Sequence, residues 1–148
     1  MPVMKEVELH TDGSCLINPG RGGWGAILVH GRNERELSGG EPETTNNRME
    51  LTAVIEGLRA IKESCRVTVY SDSKYVVDAF KKGWIETWPK RGWKNSKREP
   101  VPNRDLWESL VREVARHEVA WMWVQGHAGN RYNERAHVLA VAQSGAAR

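Results

Sequence analysis

Cysteine is scarce: the sequence has two, too few for a disulfide framework and, at positions 15 and 65, without the close spacing of a metal-binding pair. Cys15 and Cys65 are therefore expected to be reduced thiols, with Cys65 in the core. No run of about 18 apolar residues occurs, so a helical membrane span is excluded. The start, MPVMKEVELHTDG, lacks the basic-then-apolar layout of a secretion signal, and the expected location is the cytoplasm. Repeats, low-complexity tracts and linkers are also missing. With 148 residues, 39% of them hydrophobic, the chain fits one compact domain over residues 1–148.

Excess charge of one sign is modest, at +3 over the chain, and taken whole it is a poor argument for nucleic acid. Its distribution says more. From 81 to 98 stand Lys81, Lys82, Lys90, Arg91, Lys94, Lys97 and Arg98 against the single acid Glu86, a local balance of +6 that leaves the remainder at −3. Trp84, Trp88 and Trp93, three of seven tryptophans, are interleaved with these cations. The pattern describes one basic surface on a near-neutral body.

Val3 to His10 alternates apolar with charged residues and predicts a half-buried strand ending at Thr11-Asp12-Gly13. Trp24–Val29 and Glu34–Ser38 follow as strands around the Gly31-Arg32-Asn33 turn, an antiparallel meander. From Asn47 the period becomes helical, with Leu51, Val54, Ile55, Leu58 and Ile61 on one face and capping residue types at 44–47. Val67–Tyr70 is a short β-branched strand expected to be buried on both faces. Helices at 73–80 and 103–116, an apolar strand at 119–124 and a final helix at 133–143 complete the pattern. The fold class is α/β, a mixed sheet with packed helices. If the first and fourth strands are adjacent and parallel, Asp12 and Asp72 both fall at C-terminal strand ends, where active sites of open α/β sheets collect. Neighbouring strands about 4.8 Å apart would let the two carboxylates share metal ions.

Asp12, Glu50 and Asp72 are each weak signals alone, since strand-end Asp residues often serve turns and helix Glu residues usually face solvent. Convergence of all three would be costly without a cation. The segments carrying them, TDGSCLINPGRGGWGAIL, TTNNRMEL and SDSKYV, are followed in order by GWIETWPKRGW, NRDLW, WVQGHAGN and NERAHVLA. These segments span nearly the whole chain, which closely resembles the type 1 ribonuclease H family, in particular bacterial-type ribonuclease HI.

That resemblance implies a ribonuclease H-like fold: a five-stranded mixed sheet of order 3-2-1-4-5, the first three strands antiparallel, with helices on both faces. It implies endonucleolytic cleavage of the RNA strand of RNA–DNA hybrids by two Mg²⁺ or Mn²⁺ ions held by four acids, giving 5′-phosphate and 3′-hydroxyl ends. Asp12, Glu50 and Asp72 match three of the acids. The fourth departs from the pattern: where the family usually has Asp, this chain has His137. Three readings stay open there: a substitute metal ligand, a group that orients water, and a neutral residue beside a three-carboxylate site. Losing one negative charge and gaining an imidazole weakens the site most for Mg²⁺, which prefers oxygen ligands, and less for Mn²⁺, which accepts nitrogen more readily. His127, in the glycine-flanked segment after the last strand, resembles the family's flexible histidine, which shuttles protons or assists product release; a pKa of about 6.5 suits that task.

By the same resemblance Cys15, Asn18, Asn46, Asn47 and Lys74 lie along the minor groove, where the 2′-hydroxyl distinguishes RNA, although Lys74 varies from familiar members. Thr45 and Trp84 fall near a DNA phosphate pocket. Residues 81–98 match the basic protrusion that grips the DNA strand, with Lys90, Arg91 and Lys94 on phosphates and Trp84, Trp88 and Trp93 packing on sugars or pinning the element. The expected partner is the hybrid, with no membrane and no obligate protein partner, for a monomer. Rival readings are a non-catalytic hybrid-binding module, a DNA nuclease or integrase on the same fold, and a plain metal-binding scaffold.

Overall fold

The computed structural model describes residues 4–125 and 130–146. Five strands, β1 (Glu6–Cys15), β2 (Gly20–His30), β3 (Asn33–Thr44), β4 (Arg66–Ser71) and β5 (Glu118–Trp123), form one sheet in the order β3-β2-β1-β4-β5. The meander pairs are antiparallel, and β1–β4 and β4–β5 are parallel, as the family resemblance implies. Five helices are α1 (Asn46–Ala60), α2 (Lys74–Lys81), α3 (Trp84–Lys90), α4 (Arg104–Val114) and α5 (Arg131–Ala146).

Helices cover both faces of the sheet. On one, α1 turns Leu51, Val54, Ile55 and Leu58 onto Val7, Leu9, Val67 and Val69 in a core completed by Val76, Val77, Trp107, Leu110 and Trp121. Trp107 of α4 is fully buried and Phe80 of α2 stacks on Trp121 with centroids 4.1 Å apart. On the other face α5 presses against β2 at Gly23 and Gly25, where any Cβ would collide with the α5 backbone at Ala140, Ser144 and Ala136. Glycine is required there for close approach rather than for unusual backbone angles.

Three expectations change. β1 does not stop at Asp12; it runs to Cys15, because β2 continues to pair with it at Asp12↔Gly25 and Cys15↔Gly22 after the parallel pairing with β4 has ended at Thr11↔Ser71. Asp12 therefore lies inside a strand, one residue past the parallel ladder. β3 extends to Thr44 through Gly39, Gly40 and Pro42, since an edge strand tolerates proline and the indole of Trp24 fills the space over Gly39. β4 is not buried on both faces: Val67, Val69 and Ser71 are buried while Thr68 and Tyr70 are half-buried, because α5 lies over β1, β2 and β3. The short helix α3 carries Pro89 and has no side-chain cap, and its periodicity is masked by the tryptophans that pack it.

Candidate active site

Each acid is delivered by a different element. Asp12 comes from β1, Asp72 from the residue after β4, and Glu50 from the second turn of α1. Thr45 starts α1 by accepting from the Arg48 N–H at 3.2 Å. Arg48 then ties α1 to α4 with two contacts to Asp105, 3.0 and 2.8 Å, and that pairing raises the guanidinium pKa and lowers the carboxyl pKa. Met49 and Glu50 sit directly against Gly13, where a Cβ would overlap their backbone. The Gly13 N–H donates to Glu50 Oε1 at 2.5 Å. The helix is thus positioned by a glycine and an ion pair, and the carboxylate by a backbone donor.

One oxygen from each of Asp12, Glu50 and Asp72 lies within 4.8 Å of the others. Asp12 and Glu50 are buried, at 4% and 7% exposure, and Asp72 is half-buried. Burial, reinforced by the negative charges of Asp12 and Asp72, pushes the Glu50 carboxyl well above the usual range, while the Gly13 N–H works in the opposite direction. Glu50 Oε2 is buried with no hydrogen-bond partner. A buried carboxylate with one oxygen unpartnered, beside two other carboxylates, is what a hard divalent cation with oxygen ligands would satisfy, so the donor set fits Mg²⁺ or Mn²⁺.

His137 stands beside the triad rather than in it: its Nδ1 is 2.7 Å from Asp12 Oδ2, and the metal-sized cluster among the described residues comprises the three carboxylates. His127 lies outside the described residues. Trp123, whose role the sequence did not reveal, donates from its indole N–H to the Asp72 carbonyl at 3.1 Å, and Lys74 lies over its ring at 4.8 Å. Its position at the end of β5, level with Ser71, is the signal that could have found it.

Four of the residues expected to face the hybrid, Cys15, Asn18, Asn46 and Asn47, lie at or near the start of α1. Asn46 and Asn47 are exposed, and Asn18 Oδ1 accepts from the Asn46 N–H at 3.3 Å. Cys15 is buried, with its thiol directed at the carbonyls of Ile17, Gly20 and Thr44, so it shapes the loop and keeps its side chain from the surface. Cys65 is buried as expected. In the basic segment Lys90, Arg91 and Lys94 are exposed. The tryptophans divide: Trp84 is 39% exposed, whereas Trp88 packs on Trp107 and Trp93 with centroids 5.2 and 6.1 Å away. Trp84, Trp88, Arg91 and Lys94 line a cavity of about 480 Å³.

A mixed sheet of this order, with three acids converging beside its parallel strands, defines a ribonuclease H-like α/β domain. Comparison with known proteins narrows the class. The RNase H family model matches residues 4–145. Ribonuclease H of Erythrobacter litoralis is 59% identical over 137 residues, covering 93% of this chain and 94% of that protein; ribonuclease H of Moorella thermoacetica is 52% identical over 145 residues, covering 98% and 95%. The crystal structure of LC9-RNase H1, described as a type 1 RNase H with the type 2 active-site motif, superposes with a TM-score of 0.88 at 39% identity, covering 99% of this chain and 74% of that one. The chain belongs to the RNase H family, as a type 1 ribonuclease H.

Proposed function

We propose that this protein cuts the RNA strand of RNA–DNA hybrids endonucleolytically, using two divalent ions and leaving 5′-phosphate and 3′-hydroxyl ends. The observation that carries the reading is the convergence of buried Asp12 and Glu50 with half-buried Asp72, and the unsatisfied Glu50 oxygen among them, on a chain of this family. Mg²⁺ or Mn²⁺, when bound, supplies Lewis acidity at the phosphodiester and acidifies the attacking water. Asp12, Glu50 and Asp72 would hold the ions, Asp12 touching both, Glu50 one and Asp72 the other, as the family resemblance suggests. Glu50 is oriented in advance by the Gly13 N–H, which limits the reorganisation needed on binding. With His137 in place of a fourth carboxylate the site loses one formal negative charge, which weakens it most for Mg²⁺, a cation that prefers oxygen ligands in near-ideal octahedral geometry, and so favours Mn²⁺. His127 is assigned to proton transfer or product release.

The hybrid is held from two sides in this reading. Asn18, Asn46 and Asn47, with the backbone around Cys15 and the ammonium of Lys74, face the minor groove, where 2′-hydroxyls mark the RNA. Thr45 and Trp84 meet a DNA phosphate, while Lys90, Arg91 and Lys94 contact further phosphates and Trp88 and Trp93 anchor the segment. No helix among the described residues is long and apolar enough to cross a membrane; we place the protein in the cytoplasm as a monomer without an obligate partner. The test is cleavage of end-labelled RNA–DNA hybrid, RNA duplex and DNA duplex in Mg²⁺, Mn²⁺ and chelator, with mapping of the product ends. RNA cut only in the hybrid and only with a divalent ion is expected; intact hybrid under every condition, or cleavage of the DNA strand, refutes the reading.

A further inference from the structure

We propose that His137 is a positioning residue for Asp12: its Nδ1–H holds one oxygen of that carboxylate, and the imidazole is not a metal ligand. The inference rests on the ribonuclease reading, since Asp12 is taken as a ligand to both ions. The placement begins with Gly23 and Gly25, which let α5 descend onto β2. That descent brings His137, on α5, over Asp12 on β1 with Nδ1 2.7 Å from Oδ2, a distance typical of a charge-assisted hydrogen bond. The Asp12 side chain is 5% exposed and that of His137 38%, so the imidazole reaches inward to a desolvated carboxylate from a partly open position.

With its proton directed at the carboxylate, Nδ1 has no lone pair for a metal, which leaves Nε2 as the ring nitrogen through which ligation would have to occur. His137 is also outside the set of three carboxylates that lie within 4.8 Å of one another. A hydrogen bond to Oδ2 fixes the rotation of the Asp12 carboxylate and so the direction in which it would offer oxygen to a cation. The departure at position 137 therefore changes the kind of support the site receives. A carboxylate there would add a ligand and repel Asp12, whereas the imidazole adds a donor that orients it. Partners that orient a metal ligand from behind are commonly worth about 10- to 100-fold in metal affinity.

The experiment uses the full chain with Mn²⁺ as probe. Calorimetric titration and pulsed electron paramagnetic resonance are run on the parent, His137→Ala and His137→Asn, with hybrid cleavage measured in parallel. Three results are expected. The parent shows Mn²⁺ without directly bonded nitrogen. His137→Ala binds Mn²⁺ about 10- to 100-fold more weakly and loses kcat while KM for hybrid holds. His137→Asn, whose amide N–H can reach the same oxygen, recovers most of both. A directly bonded nitrogen signal in the parent that disappears in His137→Ala overturns the proposal without needing a kinetic comparison. So does unchanged Mn²⁺ affinity in His137→Ala, or failure of His137→Asn to outperform it. A parent that neither binds Mn²⁺ nor cleaves hybrid overturns the ribonuclease reading itself.

Discussion

Replacing Glu50 with glutamine should make the metal-free protein more stable and deprive it of its response to metal. Glu50 is buried at 7% exposure, its Oε2 has no partner, and Asp12 and Asp72 press negative charge on it. Glutamine keeps an oxygen for the Gly13 N–H and puts an amide donor where the orphaned oxygen faces its acidic neighbours. A buried polar group left unsatisfied costs about 1–3 kcal/mol. At about 2–4 °C per kcal/mol for a domain near this size, Tm in chelator should rise by about 2–12 °C. The pH dependence has a definite sign. A carboxyl whose folded pKa is raised costs stability above that pKa, and the cost disappears as pH falls through the folded value to the ordinary one, about 4.5. The gap between Glu50→Gln and parent should therefore be widest at neutral and alkaline pH and narrow towards pH 4.5. Addition of Mn²⁺ at 100 times its Kd should stabilise the parent by about 2.7 kcal/mol and leave the variant nearly unmoved. Thermal melts monitored by circular dichroism, in chelator and in MnCl₂ across pH, provide the assay. A variant no more stable than the parent in chelator, or one that gains equally from Mn²⁺, refutes the account of Glu50 as a strained metal ligand.

Neutralising Lys90, Arg91 and Lys94 together should weaken hybrid binding and flatten the log–log salt dependence by about one unit per lost phosphate contact, read by fluorescence anisotropy from low to moderate salt; an unchanged slope means these exposed cations touch no phosphate. His127→Ala should lower kcat by about 100-fold or more, in keeping with loss of a general acid–base group, while hybrid affinity holds; equal losses in both would assign it to binding instead. Glu34, held by the Tyr132 hydroxyl and by Arg135 at 2.6 and 2.7 Å, has its carboxyl pKa pulled down from 4.5 to about 2. A depressed carboxyl contributes stability above its unfolded pKa and loses it as pH falls. Acid melts should therefore show a Glu34-dependent decline between about pH 4.5 and 2 that Glu34→Gln lacks, and superimposable profiles would contradict it.

Much of this architecture was legible in residue order because local periodicity reports what one element buries. Leu51, Val54, Ile55 and Leu58 repeat at helical steps, and all four are buried on α1. The final helix proved longer than its apolar pattern, Arg131 to Ala146, since Asn130 Oδ1 accepts from the N–H groups of Tyr132 and Asn133 and begins it early. Other features had no local signal. The extension of β1 to Cys15 depends on β2 lying alongside, and polar, glycine-containing TDGSC does not announce a strand. The division among tryptophans is similar: Trp84 and Trp88 are separated by one helical turn, yet Trp88 meets the buried Trp107 while Trp84 stays 39% exposed.

The sequence alone determined the kinds of group available: three acids in polar settings, an imidazole where the family usually has a fourth, and a run of cations threaded with indoles. Those are chemical identities, and residue order carries them completely. Only the tertiary structure decided that Glu50 would be desolvated with one oxygen unanswered, that Gly13 would supply its backbone donor, and that His137 would meet Asp12 across 125 positions of chain. Burial and long-range hydrogen bonding depend on how closely α1 and α5 approach the sheet, and that approach is set by side chains the glycines lack and by packing on both faces at once.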